Sequence, residues 1–170
     1  MSAICNRQRT NGILQPLQDL LDLWAQFGTH DIDIPPTGGY RFGPIDEAQQ
    51  EELCRNGLSK ARTLRETPHG RRCGLDVYPL GFNPHRSFED ASNAGMLQKC
   101  RDFVAFVDKY GPPLGLRSGA HFLNFGPLGD IVHVELADWI SRSFPGGELP
   151  IPAPSASGPD FSLPPPKPTV

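Results

Sequence analysis

Two segments of the sequence carry side chains of types that can bind a metal ion. The first segment contains His69 and Asp76, and the second contains His133, with the carboxylate of Asp130 three residues before it. Two imidazoles and one carboxylate are a donor set of catalytic zinc sites, which keep three protein ligands and leave a fourth position to water. We therefore take His69, Asp76 and His133 as candidate ligands of a zinc ion.

The spacing of the first two candidates restricts the backbone between them. Asp76 follows His69 by seven residues, which is a rise of about 10 Å on a helix and more than about 20 Å on a straight strand. Because zinc ligand bonds are only about 2 Å long, the chain has to turn between the two residues. We expect Gly70 and Gly74 to permit that turn, since glycine adopts backbone angles that other residues avoid.

Alternating side chains predict a strand around each of the later ligands. Residues 75–79 and 131–136 both alternate between apolar and polar side chains, as half-buried strands do. In each strand the candidate ligand, Asp76 or His133, lies on the face opposite to the apolar side chains. If the two strands are neighbours, one face of the sheet carries both ligands, and Glu135 shares the face of His133.

Helical patterns predict the elements that pack around these strands. Residues 12–27 place leucines and a tryptophan at helical spacing, and residues 46–56 form a polar helix that ends at Gly57. A third helix follows a capping sequence at 87–90 and stops before Gly111. The fold class is therefore α+β, with a small antiparallel sheet flanked by helices in a single domain.

Composition sets limits on the class of protein. With 170 residues, 38% of them hydrophobic, the chain is expected to form one compact domain with a core. A net charge of -3 gives no indication of a nucleic-acid partner, and no apolar stretch is long enough to insert in a membrane. The four cysteines include no Cys-x-x-Cys pair, and Cys73, inside the ligand turn, is interpreted as a buried small side chain.

The C-terminal part of the chain has a different composition. Nine of the nineteen prolines fall in residues 145–170. Such a segment cannot bury enough apolar surface to order itself. We therefore expect a domain over residues 1–144 and a proline-rich disordered tail over residues 145–170.

Three segments together resemble a family of enzymes. Segment 67–76, Thr-x-His-x-x-x-x-Gly-x-Asp, resembles the Ser-x-His-x-x-Gly-x-Ala-x-Asp signature of zinc peptidases that cut peptidoglycan peptides. That group, peptidase family M15, holds D-Ala-D-Ala carboxypeptidases and dipeptidases and phage L-alanyl-D-glutamate endolysins. Segment 130–133, Asp-x-x-His, is similar to its second motif, and Gly-Tyr-Arg at 39–41 with two glutamines at 49–50 resembles its upstream segment. The resemblance covers about residues 13–142.

The resemblance implies metal-assisted hydrolysis of an amide bond and a role for each residue. Zinc on the three candidate ligands would acidify a water molecule and polarise the scissile carbonyl. Asp130 would take the proton of that water and pass it to the leaving amine, and Arg41 would stabilise the oxyanion. Glu135 is a rival base, since it shares the strand face of His133, although we favour for it a hydrogen bond to a ligand.

The implied substrate is a stem peptide of peptidoglycan, cut at L-Ala–D-Glu or at D-Ala–D-Ala. We expect a monomeric zinc enzyme that is made in the cytoplasm without a signal peptide and acts at the bacterial cell wall, as a phage or prophage lysis protein does. The chain departs from the family pattern at Thr67, where serine is usual, and at Arg72, where glycine is usual. Arg72 leaves open an alternative, a catalytically impaired module of the same fold that binds the cell wall or belongs to a virion.

Overall fold

The computed structural model describes residues 1–41, 45–57, 59, 61–123 and 125–140, without the side chain of Arg65. The predicted tail at 145–170 lies outside these residues. The helices and strands, in chain order, are β1 (Ile4–Cys5), α1 (Gln15–Phe27), β2 (Ile32–Asp33), α2 (Glu47–Arg55), β3 (Gly74–Asp76), β4 (Tyr78–Pro79), α3 (Met96–Tyr110), β5 (Leu116–Ser118) and β6 (His133–Leu136). This mixture confirms the predicted α+β class.

In the part of the chain that the structure describes, the strands form two small sheets. One sheet has the order β3-β6-β5 and is antiparallel throughout, as predicted. The other has the order β1-β2-β4, in which β1 and β2 run parallel and β2 and β4 run antiparallel. The first sheet carries the candidate ligands Asp76 and His133, and the second was not predicted as a separate sheet.

The predicted strand over residues 75–79 is divided between the two sheets. Its first part, β3, pairs with β6, whereas its second part, β4, pairs with β2. Val77 lies between them, and its amide donates to the carbonyl of Val132 (2.8 Å) while the amide of Asp76 donates to the carbonyl of Gly38 (2.7 Å). The chain therefore leaves the ligand sheet immediately after Asp76, with its backbone donors still paired.

The core lies between the ligand sheet and two helices. The apolar stripe of α1 is buried, and Trp24 packs edge-to-face on two α3 rings, Phe103 and Phe106, with ring centroids 5.0 Å apart in each pair. The sheet contributes buried aliphatic side chains from all three strands, namely Leu75, Leu116, Val134 and Leu136. Burial of these side chains fixes which face of β6 points inward, so the polar face of the same strand is left for the site.

Both long helices begin later than predicted. α1 begins at Gln15 with Pro16 in its first turn, and the amide of Leu14, just before it, donates to the carbonyl of Arg72 (3.0 Å). α3 begins at Met96, because Gly95 has a left-handed φ of 76° that separates it from the short 3-10 turn before it. Among the described residues, no helix is long and apolar enough to cross a membrane.

Candidate metal centre

Strand register brings two of the predicted ligands together. Asp76 in β3 and His133 in β6 are direct partners across the antiparallel ladder, so their side chains leave the same face of the sheet. His69 reaches that face from the turn before β3. One ligand atom from each of the three residues lies within 4.8 Å of the other two, and all three residues are buried. The predicted cluster can therefore hold a metal ion.

A backbone hydrogen bond sets the orientation of the His69 ring. Its Nδ1 lies 3.0 Å from the carbonyl oxygen of Gly39. Because a carbonyl only accepts, Nδ1 carries the hydrogen and Nε2 is left without one. That Nε2 lies 3.3 Å from Oδ1 of Asp76. His69 therefore presents a lone pair at the cluster through Nε2.

His133 is oriented in the opposite sense. Its Nε2 lies 2.9 Å from Oε2 of Glu135, and its Nδ1 lies 2.8 Å from Oδ1 of Asp76. Glu135 thus engages the far nitrogen, and Nδ1 is the nitrogen that faces the cluster. Each histidine has one nitrogen held by an outer partner and the other nitrogen directed inward, as metal-ligating histidines usually have.

The two imidazoles differ in charge. Burial, with the nearby positive charge of Arg41, lowers the pKa of His69 to about 4. Burial would also lower the pKa of His133, but the hydrogen bonds and negative charges of Asp76 and Glu135 outweigh it and raise that pKa to about 9. At neutral pH without metal, His69 is therefore already a neutral ligand, whereas His133 carries a proton that a metal ion has to displace.

This difference predicts proton release on metal binding. At pH 7, zinc binding should release about one proton per chain, from Nδ1 of His133, because a ligand nitrogen has to be deprotonated. The apparent affinity for zinc should rise by about tenfold per pH unit up to about pH 9, because His133 of the metal-free protein loses its proton only near that pH. Titration calorimetry in two buffers of different ionisation enthalpy counts the protons. No proton released at pH 7 would contradict the assignment of charge to His133.

The turn between His69 and Asp76 is built differently from the prediction. Neither Gly70 nor Gly74 has a positive φ; the left-handed residue of the turn is Arg72, with φ 63°. The two glycines are needed for space instead. A Cβ on Gly70 would lie 1.8 Å from the carbonyl oxygen of Leu64, and a Cβ on Gly74 would lie 3.1 Å from Cε1 of His133.

Arg72 therefore occupies a position whose backbone favours glycine. Its amide donates to the carbonyl of His69 (3.2 Å), and its guanidinium lies over the ring of Tyr40, 4.8 Å from the centroid. A side chain in the left-handed region costs about 1–2 kcal/mol. Despite that cost, the turn closes and the ligand atoms of His69 and Asp76 meet.

A matched pair of substitutions tests the conformation of Arg72. Arg72→Gly and Arg72→Ala both remove the contact with Tyr40, but only Arg72→Ala keeps a Cβ at positive φ. We expect Arg72→Gly to be the more stable of the two by about 1 kcal/mol in urea unfolding. If Arg72→Ala is equally or more stable, residue 72 does not have the left-handed conformation.

Arg41 is fixed beside the ligand Asp76. Its Nε donates to the carbonyl of Thr37 (3.0 Å), its Nη1 donates to Oε1 of Gln50 (3.2 Å), and its Nη2 lies 3.7 Å from Oδ2 of Asp76. Gln50 in turn donates to the carbonyl of Ala61 (2.8 Å). The Gly-Tyr-Arg segment at 39–41 and Gln50 thus hold the buried guanidinium of Arg41 at the edge of the metal cluster.

Asp130 is buried in the turn that leads into β6. Its amide donates to the carbonyl of Gly119 (2.7 Å), and its own carbonyl accepts from the amide of His133 (3.0 Å). Burial lowers the pKa of Arg41, and the charges of Asp76 and Asp130 act against that effect. The negative charge of Asp130 therefore helps to keep Arg41 protonated.

Glu135, the rival base, has both oxygens engaged. Oε2 accepts from His133, and Oε1 accepts from Nε and Nη2 of Arg117 at 2.9 and 2.6 Å. Burial would raise the pKa of Glu135, but these two partners, His133 foremost, lower it overall. The predicted hydrogen bond between Glu135 and a candidate ligand is present, with His133 as the donor.

Two functional groups were not foreseen from the sequence. The carbonyl of Gly39, which orients His69, is a backbone group and leaves no trace in residue type. Arg117 is not among the predicted site residues; its pairing with Glu135 follows only once β5 and β6 are neighbours. The signal is a cation directly opposite a carboxylate across two strands, and it can be recognised only when the register of those strands is known.

The three predicted ligands are therefore on one face of one sheet and the turn before it. Their donor set, two imidazole nitrogens and a carboxylate, fits a divalent metal of the zinc type. Comparison of the chain with protein-family models, with curated proteins and with solved structures found no match.

Proposed function

We propose that the protein is a zinc-dependent peptidase that hydrolyses stem peptides of peptidoglycan, as an L-alanyl-D-glutamate endopeptidase or a D-Ala-D-Ala carboxypeptidase. The observation that carries the proposal is the buried cluster of His69, Asp76 and His133, whose ligand atoms lie within 4.8 Å of one another. Three ligands of this type are the number that catalytic zinc sites use. The resemblance of segments 67–76 and 130–133 supports the substrate class.

The buried donors support zinc in particular. Imidazole nitrogens suit zinc better than calcium or magnesium, which prefer oxygen ligands throughout. When bound, zinc would supply Lewis acidity that polarises a peptide carbonyl and acidifies water. The chain itself would orient the two ligand rings, His69 through the carbonyl of Gly39 and His133 through the carboxylate of Glu135.

The remaining chemistry is assigned to Arg41 and Asp130. Arg41, held by three partners, presents a permanent positive charge where a peptide oxygen would become anionic, and such a donor acts without rearranging. Asp130 would accept a proton from water and return it to the leaving amine. We assign the base to Asp130 rather than Glu135 because Glu135 is committed to His133 and Arg117.

The alternative, a catalytically impaired binding module, rests on Arg72. The left-handed conformation of Arg72 supplies what glycine would supply at this position, and the ligands still converge. This supports the enzyme over the module. The two functions are separated by whether a bond is cut.

The test is digestion of purified peptidoglycan by the zinc-loaded protein, with the products identified by mass spectrometry. New termini at L-Ala/D-Glu or at D-Ala are expected, and they should disappear with a chelator and in His133→Ala. Asp130→Asn should keep zinc but lose about 10²–10⁴-fold in rate. His121→Ala is the matched control, because His121 also contacts a carboxylate, Asp108, but is largely exposed; it should cleave normally.

One result would replace the proposal with the alternative. If the wild-type protein binds one zinc per chain and still releases no peptide from peptidoglycan of several stem-peptide types, the chain is a binding module. Cosedimentation of the protein with insoluble peptidoglycan would then detect the remaining function.

A further inference from the structure

Arg117 and Glu135 form an ion pair behind the metal cluster. The two residues face each other directly across the β5-β6 ladder. Nε and Nη2 of Arg117 both donate to the same oxygen, Oε1, at 2.9 and 2.6 Å. The other oxygen, Oε2, accepts from Nε2 of His133 at 2.9 Å. The pair therefore continues, without a gap, into the ring of a candidate metal ligand.

Burial of Glu135 and an aromatic contact of Arg117 hold the pair in place. The side chain of Glu135 is only 2% exposed, so its carboxylate needs these partners to replace water. The guanidinium of Arg117 lies over the ring of Phe122, 5.1 Å from its centroid, and that ring lies 6.1 Å from the ring of His133. Arg117, Glu135 and His133 are thus connected both by hydrogen bonds and by packing around Phe122.

We propose that Arg117 is a positioning residue of the metal centre, which anchors Glu135 so that Nε2 of His133 keeps its hydrogen and Nδ1 faces the metal position. The inference deepens the proposed function and rests on it. Nothing in the sequence motifs that resemble the peptidase family includes Arg117.

The choice of nitrogen matters because only Nδ1 of His133 faces Asp76. Loss of Arg117 would leave Oε1 of Glu135 buried without these two donors, and the carboxylate would rotate away from its present position to find other donors. The ring of His133 would then lose its fixed orientation. Loss of such an outer partner typically weakens metal affinity by about tenfold to hundredfold.

The first measurement is zinc affinity by competition with a chromogenic chelator, without any substrate. Arg117→Met, which keeps the length of the side chain and removes its charge and donors, should bind zinc at least about tenfold more weakly than wild type. Arg117→Lys keeps the charge with a single donor group and should fall between the two. Arg7→Met is the matched control, since the Arg7 side chain is 37% exposed against 36% for Arg117 and also pairs with a carboxylate; its affinity should be unchanged.

A double-mutant cycle tests whether Arg117 acts through Glu135. Glu135→Gln keeps the shape of the side chain and weakens its bond to both neighbours. In the Glu135→Gln background, Arg117→Met should cause little further loss of zinc affinity, because the bond through which Arg117 acts on His133 is already weakened. If the two losses multiply instead, Arg117 acts on the metal centre by another route and the inference is overturned.

A spectroscopic readout separates positioning from general stability. In ¹⁵N spectra of the zinc-loaded wild type, His133 should carry its hydrogen on Nε2, and His69 should carry its hydrogen on Nδ1. In Arg117→Met the His133 signal should broaden or shift, while that of His69 stays unchanged. Identical spectra and identical affinity in the variant overturn the inference.

The outcomes also distinguish this inference from the proposed function. A wild-type protein that binds no zinc overturns both. Normal zinc binding and peptide cleavage, with unchanged affinity in Arg117→Met, overturn only the role of Arg117. If circular dichroism shows that Arg117→Met does not fold, Arg117→Lys decides, because a wild-type affinity there is incompatible with a requirement for the doubly bonded guanidinium.

Discussion

Asp76→Asn should abolish metal binding and also destabilise the metal-free protein. The carboxylate of Asp76 contacts both candidate histidines and Arg41, and all four side chains are buried. An amide is a poor zinc ligand, so we expect the zinc affinity to fall by more than about a hundredfold. Without metal, the substitution removes the anion that faces the buried charges of Arg41 and His133, so the free energy of unfolding should fall by about 3 kcal/mol.

Urea unfolding of the metal-free protein and chelator competition measure the two effects. The control is Asp22→Asn, which removes the same group from an ion pair with Arg7; the Asp22 side chain is 62% exposed. Exposed pairs contribute about 0–1 kcal/mol, so this variant should unfold nearly as the wild type does. If Asp76→Asn loses no more stability than Asp22→Asn, the buried charge cluster does not exist as described.

Arg41→Met should separate catalysis from metal binding. In the proposed peptidase, loss of the Arg41 donor should cost about 10²–10³-fold in kcat on every peptide substrate, as loss of an oxyanion donor does in known enzymes. The zinc affinity should stay the same or rise, because the substitution removes a positive charge 3.7 Å from a metal ligand. A lower rate together with a retained metal is therefore the expected pattern.

Steady-state rates of zinc-loaded protein, with zinc content measured on the same samples, test this pattern. Arg62→Met is the control, since Arg62 pairs with Glu51 on the surface and its side chain is 75% exposed; its rate should match the wild type. Activity of Arg41→Met within about threefold of wild type would remove Arg41 from the reaction. A loss of zinc large enough to account for the lower rate would make Arg41 a structural residue.

Side-chain alternation was sufficient to predict the centre of the site. A strand has a period of two residues, so the apolar side chains of 131–136 fix the side on which His133 lies. The same reasoning places Asp76, and the register Asp76 to His133 confirms that both share a face. Patterns of this kind are local, which is why they can be read without knowing the fold.

The turn before β3 could not be predicted from glycine positions alone. Glycine is used both for positive φ and for close approach, and the sequence does not distinguish the two uses. Gly70 and Gly74 serve close approach, to Leu64 and to His133, whereas the positive φ falls on Arg72. The prediction that the two glycines supply the unusual backbone angles was therefore wrong.

Contacts between distant segments were the other part that the sequence left open. The split of residues 75–79 between two sheets depends on the partners of each half, β6 and β2, and not on the residues themselves. The bond from Arg117 to Glu135 depends on the register of β5 against β6 in the same way. Register is set by burial over the whole sheet, so it becomes visible only with the structure.

The most direct test of the metal centre is X-ray absorption at the zinc edge of the loaded protein. The proposed centre predicts one zinc per chain with a first shell of nitrogen and oxygen at about 2.0–2.2 Å, including the scattering pattern of two imidazole rings. His133→Ala should reduce the imidazole count to one. A sulfur neighbour at about 2.3 Å would show that a cysteine such as Cys73 binds the metal. A shell of oxygen alone would show that neither histidine binds it. Either result would contradict the proposed centre.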